Sequence, residues 1–149
     1  MTPEDMAACH SSAFAGIGRA WSNVEFNALV DSPLVFVTGD ARGFALGRVI
    51  ADEAELLTLA TAPAHQRSGL ARTCLAAFER EAALRGARVA FLEVAEDNLP
   101  ARALYDGAGY TEAARRTAYY VRQNGETSDA LVLRKSLAAQ GGDASSGVV

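Results

Sequence analysis

The segment 54–94 constrains the fold more than any other. AELLTLAT (54–61) and RVAFLEV (88–94) read as strands. Between them Leu75, Phe78 and Ala82 recur at helical spacing. Ala71 falls on that face, and Arg72, Glu79 and Arg80 look outward. Gly86 ends the helix. A strand, a helix of this size and a second strand imply a right-handed crossover that sets the two strands parallel.

The flanks fill in around that pair. Helices are expected at 5–15 and 22–30, the second opened by Ser22 with Glu25 three residues on, a capping-box pattern. LVFVT (34–38) reads as a strand ended by the hairpin signal Gly39-Asp40. ARGFALGRVI follows, placing Phe44, Leu46 and Ile50 on one face with Arg48 as the odd member. A shorter helix, 98–107, begins near Asn98 and Pro100 and gives way at Gly107 and Gly109. Probable strands at 110–119 and 129–137 flank the polar turn QNGETS, which suits an antiparallel pair. The expected class is α/β: a mixed, mostly antiparallel sheet with one central parallel pair and flanking helices.

At 149 residues this is one domain, assigned to 1–137. From Ala138 the chain fills with Gly and Ser and is expected to be a flexible tail over 138–149. The net charge of -4 argues against a nucleic-acid partner for the domain as a whole. Cys9 and Cys74 fall in no metal-ligand spacing, so both are expected as free thiols in a reducing compartment, with no metal bound. The N-terminus has no basic stretch followed by an apolar one, and no 18-residue apolar window exists. A cytoplasmic protein, monomeric and without a membrane partner, is the expectation.

The most informative short stretch is QRSGLA (66–71), which runs directly into the crossover helix. Backbone N–H groups converging before a helix N-terminus make an anion site, favoured by unpaired amides and aligned peptide dipoles. Gly69 permits close approach and Arg67 adds positive charge, so a pyrophosphate would fit. The stretch lacks both the P-loop pattern and the dinucleotide fingerprint. On the residues alone, a loop closing tightly against a helix, with incidental polar side chains, is the competing reading.

QRSGLA resembles the Q/R-x-x-G-x-G/A acetyl-CoA signature of the GCN5-related N-acetyltransferases. FLEVAEDNLPARALYDGAGY (91–110) resembles the second half of that fold as it appears in the RimI-like ribosomal-protein-alanine N-acetyltransferases. The likeness extends to Trp21-Ser22, to the paired Tyr119-Tyr120, and to Asp129 before the last apolar strand. Two features depart from the pattern: Ala71 replaces the commoner second glycine, and of Arg115-Arg116 only Arg116 overlays an arginine of the RimI-like run.

The resemblance implies acetyl-CoA as cofactor. Its pyrophosphate would lie on the backbone of Gln66, Arg67, Ser68, Gly69, Leu70 and Ala71, with Arg72 in the opening helical turn. The strand around Leu57–Ala60, with Leu59 and Ala60 as contacts, would pair with the pantetheine arm, and its neighbour at 88–94 would splay away into a V-shaped cleft. Asn98 matches a family asparagine near the cofactor, Glu93 the general base and Tyr105 the general acid. Trp21, Glu93, Tyr119 and Tyr120 are the implied acceptor contacts.

The chemistry is coherent with those roles. An acceptor ammonium must lose a proton before it attacks a thioester, a carboxylate can take that proton, and a phenol can protonate the departing thiolate. Glu93 shares a strand face with Val89 and Phe91 at the C-terminal edge of a parallel strand, where α/β sites form; a solvent-facing loop acid is the alternative. Tyr105 is otherwise a half-buried tyrosine sealing its helix against the sheet. His65 reads as a loop-surface residue and His10 as a helix residue with no visible partner. Cys74 has no histidine near in sequence to activate it, so direct transfer is expected over a covalent intermediate. The acceptor implied by the resemblance is the N-terminal alanine of a ribosomal protein. The alternatives are a small amine, another protein N-terminus, or a non-catalytic acyl-CoA-binding module.

Overall fold

The computed structural model describes residues 1–14, 21–122 and 124–137. The expected tail at 138–149 lies outside the described residues, as does the last residue of the first expected helix. The described order is α1 (Pro3–Ala13), α2 (Asn23–Val30), β1 (Val35–Asp40), β2 (Gly43–Ile50), β3 (Glu53–Thr61), α3 (Leu70–Leu84), β4 (Val89–Ala95), α4 (Leu99–Gly107), β5 (Thr111–Val121) and β6 (Thr127–Ser136). The six strands form one sheet in the order β1-β2-β3-β4-β6-β5. Every pair is antiparallel except β3–β4, the parallel pair joined by the α3 crossover.

Local chemistry accounts for the helix starts. Thr2 and Ser22 each complete a capping box, with Asp5 and Glu25 returning the bond. Asn98 caps α4 by accepting the Ala101 N–H at 3.3 Å.

Two cores sandwich the sheet. Phe36, Leu56, Leu75, Phe78, Leu92 and Leu131 fill the α3/α4 side. Met6, Phe26, Phe44 and Leu46 fill the α1/α2 side. Gly47 is required on the α3 side, because the Phe78 ring lies 2.6 Å from where a Cβ would stand. Beside it β3 carries a bulge: the register passes from Leu46↔Thr58 to Gly47↔Leu56, leaving Leu57 unpaired in the ladder. The extra residue changes which face each side chain takes. Leu56 packs toward α3, whereas Leu57 and Ala60 pack toward α1 and α2.

Four expectations are corrected. β1 runs through Gly39-Asp40, and the turn falls at 41–42, where Asp40 accepts the Arg42 N–H at 2.9 Å. Ile50 is exposed, since β2 outruns the helices that cover Phe44 and Leu46. Ala71 is half-buried and faces a cavity instead of the α3 core. Glu79 is buried, because its carboxylate meets the Lys135 ammonium at 2.8 Å and the Tyr110 hydroxyl at 2.9 Å. No helix among the described residues is long and apolar enough to cross a membrane.

Candidate active site

The parallel pair is hydrogen-bonded only at its base, over Glu53↔Val89, Ala54↔Ala90 and Glu55↔Phe91. Beyond that point β4 continues to pair with β6 as far as Ala95, so β3 and β4 diverge into a V. The bulge at Leu57 lies at the start of the unpaired stretch, leaving the backbone of 57–60 without a ladder partner on its β4 side. Those free amides and carbonyls are available to an extended ligand or a developing oxyanion.

Two cavities open on either side of the V, of about 500 Å³ and about 400 Å³. They share Phe14, Leu59, Asn98, Ala101 and Tyr105 as a common wall.

The larger cavity receives the start of α3. Gly69 is its N-cap at φ 85°, ψ 2°, a left-handed conformation, and supplies no side-chain cap to the first-turn amides. Arg67 is also left-handed, at φ 63°, which turns the loop sharply before the helix. The Gln66 amide donates to the Thr61 carbonyl at 3.1 Å, and Thr73 binds the Gly69 carbonyl with both N–H and hydroxyl at 3.0 Å. The Gln66 N–H is taken by the Pro63 carbonyl at 3.3 Å, so the amides this loop offers begin at Arg67. Gln66, Arg67, Gly69, Ala71 and Arg72 line the cavity. Ser68 and Leu70 do not: the Ser68 hydroxyl donates to the His65 carbonyl, and the Leu70 side chain packs on the α3 core. Ala60 lines neither cavity, its methyl buried with α1 and α2.

The smaller cavity holds the two side chains expected to be catalytic, Glu93 and Tyr105. Glu93, on β4 opposite Val132, accepts from the Tyr120 hydroxyl at 3.2 Å and lies 3.7 Å from Arg116 Nε. It is exposed to the cleft. Tyr105 is 8% exposed and belongs to the wall shared by both cavities. Burial pushes its phenol well above the ordinary tyrosine range, keeping it protonated, and no described residue accepts its proton. Tyr110 meets the Tyr105 ring edge to face at 5.9 Å and fixes its orientation. Burial, with the Glu93 charge, raises the Tyr120 phenol to about 12.

Of the expected acceptor contacts, Trp21, Glu93 and Tyr120 line this cavity. Tyr119 does not. It is exposed, with the Arg116 guanidinium 5.2 Å above its ring.

His10 also lines the cavity, although the sequence showed it no partner. It is buried, with Nδ1 accepting the Trp21 N–H and Nε2 facing the Thr58 hydroxyl, both at 3.1 Å. Its ring stacks on Phe14 at 4.0 Å, so His10 ties α1 and Trp21 to the bulged strand. Both thiols are free and buried, and no cluster suited to a metal exists among the described residues.

The comparisons agree with this geometry. The chain is similar to the ribosomal protein bS18-alanine N-acetyltransferase of Escherichia coli (strain K12), 38% identical over 95 residues. That match spans 64% of this chain and 64% of the relative, just under two thirds of its length. The crystal structure of the ribosomal-protein-S18-alanine N-acetyltransferase from Escherichia coli superimposes with a TM-score of 0.81 at 29% identity, covering 91% of this chain and 88% of that one. Chaetomium thermophilum Naa20, at 19% identity and a TM-score of 0.76 over 94% of this chain and 87% of its own, shares the fold. Residues 8–110 match the model of the acetyltransferase (GNAT) family, well over half of the chain, and the protein belongs to that family.

Proposed function

We propose that the protein is an acetyl-CoA-dependent N-acetyltransferase working by direct transfer within a single domain, 1–137, in the cytoplasm. Its acceptor on this reading is the N-terminal amine of a protein, with the alanine end of a ribosomal protein first, the activity that the names of its relatives carry. One observation supports it above the others. The wall shared by the two cavities brings the buried Tyr105 phenol between a bare helix N-terminus and the Glu93 carboxylate.

The pyrophosphate would lie on the loop amides and the first turn of α3, with Arg67 and Arg72 at the rim. The pantetheine arm would run along the unpaired edge of β3 at Leu59 and Ala60, and Asn98 and Tyr105 would close the opposite wall. Glu93 takes a proton from the acceptor ammonium, directly or through one water. The amine nitrogen forms a bond to the thioester carbon, and the unpaired backbone of 57–60 steadies the oxyanion. The carbon–sulfur bond then breaks, Tyr105 gives its proton to the thiolate, and the second proton of the attacking nitrogen returns to the tyrosinate, leaving a neutral amide. Trp21 and Tyr120 flank the acceptor's path.

Glu93→Gln and Tyr105→Phe test the roles together. Each is expected to lower turnover by about 100-fold or more while acetyl-CoA affinity stays within about threefold. The assay follows thiol release with an alanine-ended ribosomal-protein peptide, and mass spectrometry locates the acetyl group. Full turnover in both variants would overturn the roles, thiol release only with small polyamines would overturn the acceptor, and tight acetyl-CoA binding with no release from any amine would favour a binding module.

A further inference from the structure

The β5–β6 ladder is interrupted where it faces Glu93. Pairing stops at Arg116↔Ala130 and resumes at Tyr120↔Ser128, so three residues of β5 oppose Asp129 alone. The middle one, Ala118, adopts φ 51°, a left-handed conformation that a residue with a Cβ enters at a cost. Its N–H has left the ladder, and Asp129 Oδ1 accepts it at 2.9 Å. The other carboxylate oxygen, Oδ2, accepts from Arg115 Nη1 at 2.7 Å, and Arg115 also reaches Glu96 and Glu112. The Ala118 N–H first, then Arg115, hold the Asp129 carboxyl below the usual carboxylate range.

This bulge decides how far along β5 the Tyr120 side chain stands from Glu93. Arg116 before it and Tyr120 after it both converge on the Glu93 carboxylate, at 3.7 Å and 3.2 Å, while Tyr119 is thrown outward. A regular ladder would also put Arg116 and Tyr120 on one face and Tyr119 on the other, but it would set Tyr120 opposite Glu126; the bulge draws it back opposite Ser128, within reach of Glu93. We propose that Asp129 is a positioning residue for the catalytic carboxylate: by capturing the Ala118 N–H it holds the bulge that aims Tyr120 and Arg116 at Glu93. The inference rests on Glu93 as the general base.

The test uses the full chain and four variants: Asp129→Ala, Asp129→Asn, the double variant Asp129→Ala with Ala118→Gly, and Glu93→Gln as reference. Asp129→Ala is expected to lower turnover about tenfold, with the KM for acetyl-CoA unchanged, since the loop and α3 are untouched. Asp129→Asn keeps an oxygen for the Ala118 N–H and is expected to retain turnover within about threefold. Adding Ala118→Gly to Asp129→Ala is expected to recover at least part of the loss, because glycine holds the left-handed conformation without the Cβ penalty. A residue serving only to hold the hairpin together would not be rescued by a glycine three positions from Arg115.

Amide hydrogen exchange gives a readout besides activity: the Ala118 N–H is expected to be protected with Asp or Asn at 129 and to exchange faster with Ala. Glu93→Gln inactive with Asp129→Ala at full turnover would overturn the positioning role alone. Glu93→Gln at full turnover would overturn the base assignment and this inference with it. Equal losses in Asp129→Asn and Asp129→Ala, without rescue by glycine, would also overturn the inference.

Discussion

The Tyr110 hydroxyl donates to Glu79 Oε2 at 2.9 Å, and the opposite oxygen of the same carboxylate takes the Lys135 ammonium at 2.8 Å. One acid therefore joins α3 to the start of β5 and to β6. Because Tyr110 meets Tyr105 edge to face, it also braces the proposed acid. Glu79→Ala removes the partner of an ammonium whose side chain is only 18% exposed and leaves the Tyr110 hydroxyl without its acceptor. Losing one member of a buried pair costs about 3–5 kcal/mol, a drop of roughly 10 °C in Tm for a domain of this size. Glu79→Ala combined with Lys135→Met is expected to lose less than Glu79→Ala alone. Thermal unfolding of the two variants checks this, and equal losses would show that the pair is not coupled.

His10 is expected to be structural before it is chemical. Its ring is buried among Phe14, Trp21 and Phe26, and both nitrogens are engaged. His10→Ala empties that space and strands the Trp21 N–H, at a cost of about 2–4 kcal/mol. Acetyl-CoA affinity should hold, since the anion loop lies elsewhere, while the KM for the acceptor peptide rises several-fold as Trp21 loses its anchor. Tryptophan fluorescence and steady-state kinetics read the two effects. An unchanged acceptor KM with a lowered Tm would limit His10 to packing.

Glu79 and His10 mark where the sequence stops being legible. The crossover and the loop lie within 54–94, and their periodicity and spacing are written in contiguous residues, whereas the roles expected of Glu93 and Tyr105 come from the resemblance. Glu79 sits on the outward face of α3 by helical spacing, and only the arrival of residues 31 and 56 positions away buries it. His10 finds Thr58 across 48 residues. The bulges at Leu57 and Ala118 carry no glycine to announce them; alternation sets Tyr119 and Tyr120 on opposite sides, as found, and only the resemblance names both as acceptor contacts. Ile50 shows the converse: its face was read correctly, but sequence does not say where the covering helices end.

Alkaline stability follows from the raised phenols. Burial lifts Tyr105 and, with the Glu79 charge, Tyr110 above the usual range, and Tyr120 rises to about 12. In the unfolded chain these groups ionise near pH 10, whereas in the fold they stay protonated, so stability falls once pH exceeds about 10. The stabilisation is fully present below pH 10 and is lost as pH rises through 12 and beyond. For Tyr105 and Tyr110 the loss is about 1.4 kcal/mol per pH unit each above pH 10. Urea midpoints at pH 8, 10 and 11 should hold steady over the first interval and fall over the second, and Tyr110→Phe should make the fall shallower. A midpoint at pH 11 equal to that at pH 8 would contradict the burial of these hydroxyls.

Gly69 separates the proposed anion site from the proposed catalytic pair. Its φ of 85° is one that alanine enters with strain, yet a Cβ there would meet nothing within 4 Å. Gly69→Ala should therefore fold, with a loss of about 1 kcal/mol and a Tm lower by about 2–4 °C. The cost to the ligand is expected to be larger. Relaxing the strained φ turns the loop amides away from the axis of α3, and the new methyl stands in the path of a pyrophosphate that must touch backbone. Acetyl-CoA is expected to bind about tenfold more weakly, while turnover at saturating acetyl-CoA stays within about threefold of wild type, because Glu93 and Tyr105 are unmoved. Calorimetric titration with acetyl-CoA gives the first quantity and saturation kinetics the second. Unchanged affinity in a folded Gly69→Ala protein would remove the α3 N-terminus from the cofactor site, and the positively charged rim at Arg67 and Arg72 would then have to hold the phosphates by side chains alone.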